Sequence, residues 1–238
     1  MAGGESVTHA TVTVNGVPLM VDASGALWWP EHRLLVVADL HLEKGSGFAE
    51  RGAFLPPYDT RTTIEGLERL VRRYRPGSVV ALGDSFHDTR ARTRLGEAEI
   101  ERLRRLTAAT DWLWIAGNHD PAPPADLGGR VSDETTLGAL TFRHAPVAEG
   151  GAGEICGHLH PKASVAVQSR LVTARCFVTD GRRMVLPAFG AFTGGLDVND
   201  DAFRPVFRRG FRVFMTGSDR LHMFPASRLT RRAVPVEA

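Results

Sequence analysis

Five apolar runs in this chain end in, or just before, residue types that hold metals. Asp39-Leu40-His41 follows Leu34–Ala38, Gly83-Asp84 follows Ser78–Leu82, and Gly117-Asn118-His119-Asp120 follows Trp112–Ala116. Further on, His144 follows Leu137–Arg143, and Gly157-His158-Leu159-His160 follows Glu154–Cys156. Imidazole, carboxylate and amide oxygen without thiolate make a mixed nitrogen and oxygen site. Such a site suits Mn, Fe, Zn, Ni or Co in preference to Ca. The candidate ligands are Asp39, His41, Asp84, Asn118, His144, His158 and His160. They are too many for one catalytic zinc, but a bridging carboxylate lets them serve two ions. Two metals about 3.5–4 Å apart clamp the attacking and leaving oxygens of an in-line phosphoryl displacement and lower the pKa of a bound water.

The elements that must position these groups follow from the pattern. Leu34–Ala38, Ser78–Leu82 and Trp112–Ala116 read as strands buried on both faces. Between them, Ile64, Leu67, Val71 and Tyr74 recur at helical spacing until Pro76-Gly77. Ile100, Leu103 and Leu106 do the same within Glu97–Leu106. This alternation predicts parallel strands joined by crossover helices. Ligands then bind beyond the carboxyl ends of the strands. In extended backbone, alternate residues point the same way, so Asp-x-His and His-x-His are each expected to aim two ligands at one side. Before this unit, Asn15-Gly16 between two alternating runs predicts a hairpin. After it, Leu137–Arg143, Glu154–Gly157, Val165–Val167, Arg175–Thr179 and Met184–Leu186 predict short strands, and Phe211–Met215 with Leu221–Phe224 a terminal hairpin.

Composition narrows the class. The chain has 238 residues, 43% of them hydrophobic, which supports a sizeable core and excludes disorder. A net charge of +2 permits a phosphate-bearing partner without requiring one. Of 29 cationic side chains only Lys44 and Lys162 are lysines. Arginine suits bidentate phosphate contacts, although a GC-rich genome gives the same bias. Cys156 and Cys176 form no CxxC pair and are expected to be buried and inert. No run of 18 apolar residues is present, and Met1–Ala10 lacks the pattern of a signal peptide. The expectation is a cytoplasmic enzyme with no membrane partner.

The order Asp-x-His, Gly-Asp, Gly-Asn-His-Asp, His, Gly-His-x-His resembles that of the calcineurin-like metallophosphoesterases from Leu34 to Leu186. Asp-x-His or Gly-Asp alone carries no signal, Gly-Asn-His-Asp and Gly-His-x-His are moderately specific, and five motifs in order are a strong signal. A narrower resemblance rests on Ala38–Gly45, Pro56-Pro57-Tyr58-Asp59, Leu82–Asp88 and Pro187–Leu196. From about Asn15 to Asp197 the chain is similar to the PdeM subfamily, the ligase-associated DNA damage response endonucleases. The resemblance implies a four-layer α/β/β/α sandwich, two mixed sheets flanked by helices. The pattern of elements reads as one domain over residues 1–238, with its motif-bearing core at 34–197 and a terminal hairpin and basic tail at 211–238.

The resemblance also implies roles. Asp39, His41 and His160 hold one metal, Asn118, His144 and His158 the other, and Asp84 bridges them. His119 stands over the phosphate as the catalyst, and Asp120 orients it by accepting its other ring proton. The implied activity is phosphodiester hydrolysis by a metal-bridging hydroxide, with two divalent ions, manganese above all, acting on DNA during repair beside a DNA ligase and a helicase. Arg143 departs from the glycine common at its position, and it could touch substrate or point into solvent. Lys44 and His87 are further candidates for substrate contact, each against an ordinary solvated or loop-shaping role. Trp28, Trp29, Trp112 and Trp114 read as packing and not as base platforms. His9, His32 and His222 read as surface residues. The arginines from Arg204 to Arg232 are a solvated face or a backbone-tracking one. Two rivals share the motifs or the fold: a small-nucleotide phosphodiesterase or phosphatase, and a non-catalytic phosphoesterase-fold scaffold.

Overall fold

The computed structural model describes residues 8–53, 55, 56 and 58–230. Pro57 of the Pro-Pro motif, and Arg231 and Arg232 of the basic tail, lie outside them. The first sheet has seven strands in sequence order: β1 (His9–Val14), β2 (Val17–Asp22), β3 (Leu27–Trp29), β4 (Leu34–Val37), β5 (Ser78–Leu82), β6 (Asp111–Ile115) and β7 (Arg130–Ser132). Strands β1 to β4 pair antiparallel, and β4 to β7 pair parallel. The crossovers from β4 to β6 carry α1 (Lys44–Ala49), α2 (Asp59–Tyr74), α3 (Ala91–Arg94) and α4 (Glu97–Ala109).

The second sheet holds β8 (Glu134–Leu137), β9 (Leu140–Arg143), β10 (Glu154–Cys156), β12 (Arg170–Thr179), β13 (Met184–Val185), β14 (Arg212–Thr216) and β15 (Leu221–Pro225), with β11 (Lys162–Val167) paired to β12. It is mixed, because β10 runs parallel to both β9 and β13 while its other pairings are antiparallel. The single strand expected over Leu137–Arg143 is instead the second half of a hairpin. Gly138, at φ 57, makes the turn, and β9 begins only at Leu140.

Alternation along the central strands explains the layering. Leu34, Val36, Val80, Leu82, Leu113 and Ile115 face the second sheet and meet Phe142, Ile155, Phe177 and Phe214. Leu35, Val37, Val79, Ala81, Trp112 and Trp114 face the other way, against Ile64 and Leu67 of α2 and Leu103 of α4. Each such side chain contributes roughly 1.5–3 kcal/mol when fully buried. The far side of the second sheet is covered by Val198, Phe203, Val206 and Phe207 on Val178, Val185 and Met215. The layers are therefore helix, sheet, sheet and, in place of a full outer helix layer, a thin cover that includes the 3-10 turn Asp201–Phe203. Among the described residues, no helix is long and apolar enough to cross a membrane. All four tryptophans are buried, as are both cysteines, whose thiols burial pushes up.

Candidate metal centre

The seven candidate ligands stand just past the ends of five strands drawn from both sheets. Asp39 and His41 follow β4, Asp84 follows β5 and Asn118 follows β6. His144 follows β9 directly, and His158 and His160 follow β10. The extended backbone expected for the two x-spaced pairs is not what the chain adopts. Asp39 (φ 53), His41 (φ 42), His158 (φ 68) and His160 (φ 44) are left-handed, as is Asp84 (φ 45). Such backbone costs an ordinary residue roughly 1–2 kcal/mol and concentrates at functional sites. The pairs still share a side because the residue between them turns inward: Leu40 and Leu159 are buried in separate cores.

Neighbouring loops hold this geometry. The His41 N–H donates to the Asp84 carbonyl at 2.9 Å, and the Gly157 N–H to that of His144 at 2.9 Å. Two glycines are required by close approach. A Cβ on Gly117 would collide with the Asp84 backbone nitrogen and carboxylate, and one on Gly157 with the Asp39 carboxylate.

The side chains gather into two groups around Asp84. In one, His144 donates Nδ1–H to the Leu82 carbonyl at 2.9 Å, which leaves a lone pair on Nε2 unless a second proton is bound. That nitrogen lies 2.9 Å from Asn118 Oδ1, 3.0 Å from His158 Nδ1 and 3.4 Å from Asp84 Oδ2. In the other, His41 Nε2 and His160 Nε2 are 3.2 Å apart, Asp39 Oδ1 is 3.4 Å from His160, and Asp84 Oδ2 is 4.0 Å from His41. Atoms at these separations are held together by a proton on one partner or by a positive charge between them. The electrostatics agree. Burial opposes charge on His144, yet the hydrogen bond to Asp84 and the charges of Asp39 and Asp84 outweigh it and push its pKa up to about 9. Asp84 is also buried, but His144 and the His119 N–H, 2.9 Å from Oδ1, hold its pKa down at about 2. Burial, aided by the charge of His160, lowers His41 to about 3, so it stays a neutral ligand at physiological pH. The donor set fits divalent metal, with Asp39, His41, Asp84 and His160 in one group and Asp84, His144 and His158 in the other.

His119 lies at the open side, with its side chain 42% exposed and Nε2 4.0 Å from Asp84 Oδ2. Its Nδ1–H donates to the His87 carbonyl at 2.8 Å. Asp120 therefore does not orient it. The Asp120 carboxylate is buried and accepts instead from the N–H groups of Ser85 and Phe86, at 2.8 and 3.1 Å. Burial raises its pKa to about 7 against those bonds. Its task is to shape the loop after Asp84. Arg143 meets neither expectation either. It pairs with Glu134 at 2.7 Å and lies 3.7 Å from Glu154, so its charge is already engaged. His87 does come to the site, stacked on His119 with ring centroids 5.7 Å apart. Burial and the charge of Lys44 lower its pKa to about 4, and Arg51 donates to its Nε2 at 2.9 Å. Lys44 sits close enough for its charge to depress both His41 and His87. Arg51 and the His87 carbonyl were not legible in the sequence, because a main-chain acceptor leaves no trace in side-chain identity. His9, His32 and His222 are exposed, as are Arg204, Arg208, Arg209, Arg212 and Arg228.

A cluster of histidines and carboxylates at strand ends between two mixed sheets defines a metal-dependent phosphoesterase. Residues 32–180 match the calcineurin-like phosphoesterase family, more than half of the chain, and the protein belongs to that family. Among solved structures, the Pseudomonas putida nuclease MPE is 27% identical. That match has a TM-score of 0.69 and covers 91% of this chain and 100% of that one. Yfce, a phosphoesterase from E. coli, is 12% identical with a TM-score of 0.40, over 81% of this chain and 98% of that one. No curated protein matches the sequence.

Proposed function

We propose that the protein is a dinuclear phosphodiesterase that cleaves DNA as an endonuclease. The observation that carries the two-ion reading is the position of Asp84 Oδ2, 3.4 Å from His144 in one group and 4.0 Å from His41 in the other. The nucleic-acid reading is supported by the likeness to a nuclease over nearly the whole chain. Asp39, His41 and His160 would hold one ion, Asn118, His144 and His158 the other, and Asp84 both. When bound, a pair of divalent ions supplies an activated water and neutralises phosphoryl charge. The chain does the rest. The His87 carbonyl fixes the His119 tautomer, so any catalytic proton is held at Nε2, on the open side. From there it can be given to the leaving oxygen. Lys44 adds fixed positive charge beside the phosphoryl position. The subfamily resemblance extends this reading to manganese as the ion and to repair alongside a DNA ligase and a helicase.

The test is nicking of supercoiled plasmid by the purified protein with manganese, with EDTA, and as His119→Ala. Manganese-dependent nicking that falls by about 10²–10⁴-fold in the variant is expected. No nicking, alongside turnover of a small chromogenic diester, would move the substrate to small nucleotides.

A further inference from the structure

Residues 187–197, after β13, run from one ligand-bearing segment to another. The Phe189 N–H donates to the Ala38 carbonyl at 2.8 Å and the Gly190 N–H to that of Asp39 at 3.2 Å. At the far end the Leu196 carbonyl accepts from the Lys162 N–H at 2.8 Å, two residues beyond His160. Phe192 lies between these anchors, 46% exposed as a residue, on left-handed backbone at φ 58. Against it stands Tyr58, 54% exposed, with ring centroids 5.9 Å apart and planes at 60°. Neither ring joins a core cluster. A bulky residue in this conformation is an outlier, and it is spent here on keeping a ring in water.

The groove beneath Phe192 is lined by Lys162, Arg175 and Gly190–Thr193. Among the described residues neither Lys162 nor Arg175 pairs with a carboxylate. Arg175 is half-buried and donates Nη1–H to the carbonyls of Ala188 and Phe189, at 2.8 and 3.3 Å. Two half-buried cations without a carboxylate partner suit a phosphate, which would take charge-assisted hydrogen bonds from both. Lys44 is near enough to Lys162 to feel its charge, so the only two lysines of the chain converge beside the centre.

The geometry points to a nucleotide subsite: Tyr58 and Phe192 stack an unpaired base of the polynucleotide, while Lys162 and Arg175 hold the adjoining phosphate. This rests on the polynucleotide reading above. Aromatic rings beside a positive groove are the usual means of gripping single strands, because every base has a stackable face. In a duplex those faces are already covered, so the subsite discriminates for unpaired strand.

The experiment is steady-state cleavage by the manganese-loaded protein of a fluorescein-labelled single-stranded oligodeoxynucleotide, its RNA counterpart and a blunt duplex. Wild type, Phe192→Ala, Tyr58→Ala and Phe192→Trp are compared, and the mass of each in solution is checked. The alanine variants are expected to raise KM for the single strands about tenfold with little change in kcat, and the tryptophan to restore it. The KM for duplex should not respond. Alanine variants that cut single strands with the wild-type KM would overturn the subsite alone. So would a change from dimer to monomer in Phe192→Ala at unchanged KM, which would assign the rings to self-association. A wild type that turns over a small chromogenic diester but neither binds nor cuts any oligonucleotide would overturn the polynucleotide reading and the subsite with it.

Discussion

Asp84 offers one carboxylate oxygen to both ligand groups and spends the other on the His119 N–H. Its removal therefore acts on both groups at once. Asp84→Ala is expected to lose metal from both, leaving well under one ion per chain by elemental analysis. It also removes the acceptor of the His119 N–H. Two ions retained per chain would show that the groups are independent and the carboxylate dispensable. At this scale the sequence was informative about residue types and poor about partners. The seven candidate ligands could be picked out because each closes an apolar run. Asp120 was given the wrong partner and Arg143 was left open, because what decides them is across space. The N–H groups of Ser85 and Phe86 claim one, and Glu134 and Glu154 claim the other.

The strands and long helices were legible because their patterns are long and clean. α2 ends just before the Pro76-Gly77 stop, and it begins at Asp59, a turn ahead of Ile64 where its periodicity starts. α1 was not legible. Its sequence KGSGFA carries two glycines, each about 1 kcal/mol worse than alanine in a helix. It is helical because tertiary contact requires it, with Gly45 pressed on Asp59, whose carboxylate takes the Gly45 N–H at 2.8 Å. The strand ends show the same limit. Alternation located Asp39-x-His41 and His158-x-His160, but their left-handed turns arise from loop-to-loop hydrogen bonds that no single segment encodes. The ends of β5 and β6 are in one such close contact. Gly117→Ala is expected to push Asp84 out of place, as its Cβ would overlap both the backbone nitrogen and the carboxylate. Overpacking of this kind costs about 1–3 kcal/mol. The variant should melt lower and bind metal more weakly, by thermal melts with and without manganese. Wild-type metal affinity in Gly117→Ala would mean that the loops relax without moving the ligand.

Across the whole molecule, the ligand groups join what the hydrophobic core already joins. Leu34, Val36, Val80 and Leu113 of the first sheet meet Phe142, Ile155 and Phe177 of the second. Above that contact, the site draws Asp39, His41, Asp84 and Asn118 from the first sheet and His144, His158 and His160 from the second. Without a cation the two sheets present buried carboxylate and imidazole lone pairs to each other, which opposes their packing. With one they would be cross-linked. A ligand that binds only the folded state stabilises it by about 2.7 kcal/mol at a hundredfold excess over Kd. In a chain of this length each kcal/mol moves the melting temperature by about 2–4 °C. Removing metal with EDTA should therefore lower the melting temperature by about 5–10 °C per occupied site, and manganese should restore it. The restoration should be lost in His144→Ala, which takes a ligand from the second sheet, but kept in His119→Ala, which takes none from either group. A melting temperature indifferent to EDTA would mean that the inter-sheet core alone sets the stability and that any metal binds without drawing the sheets together.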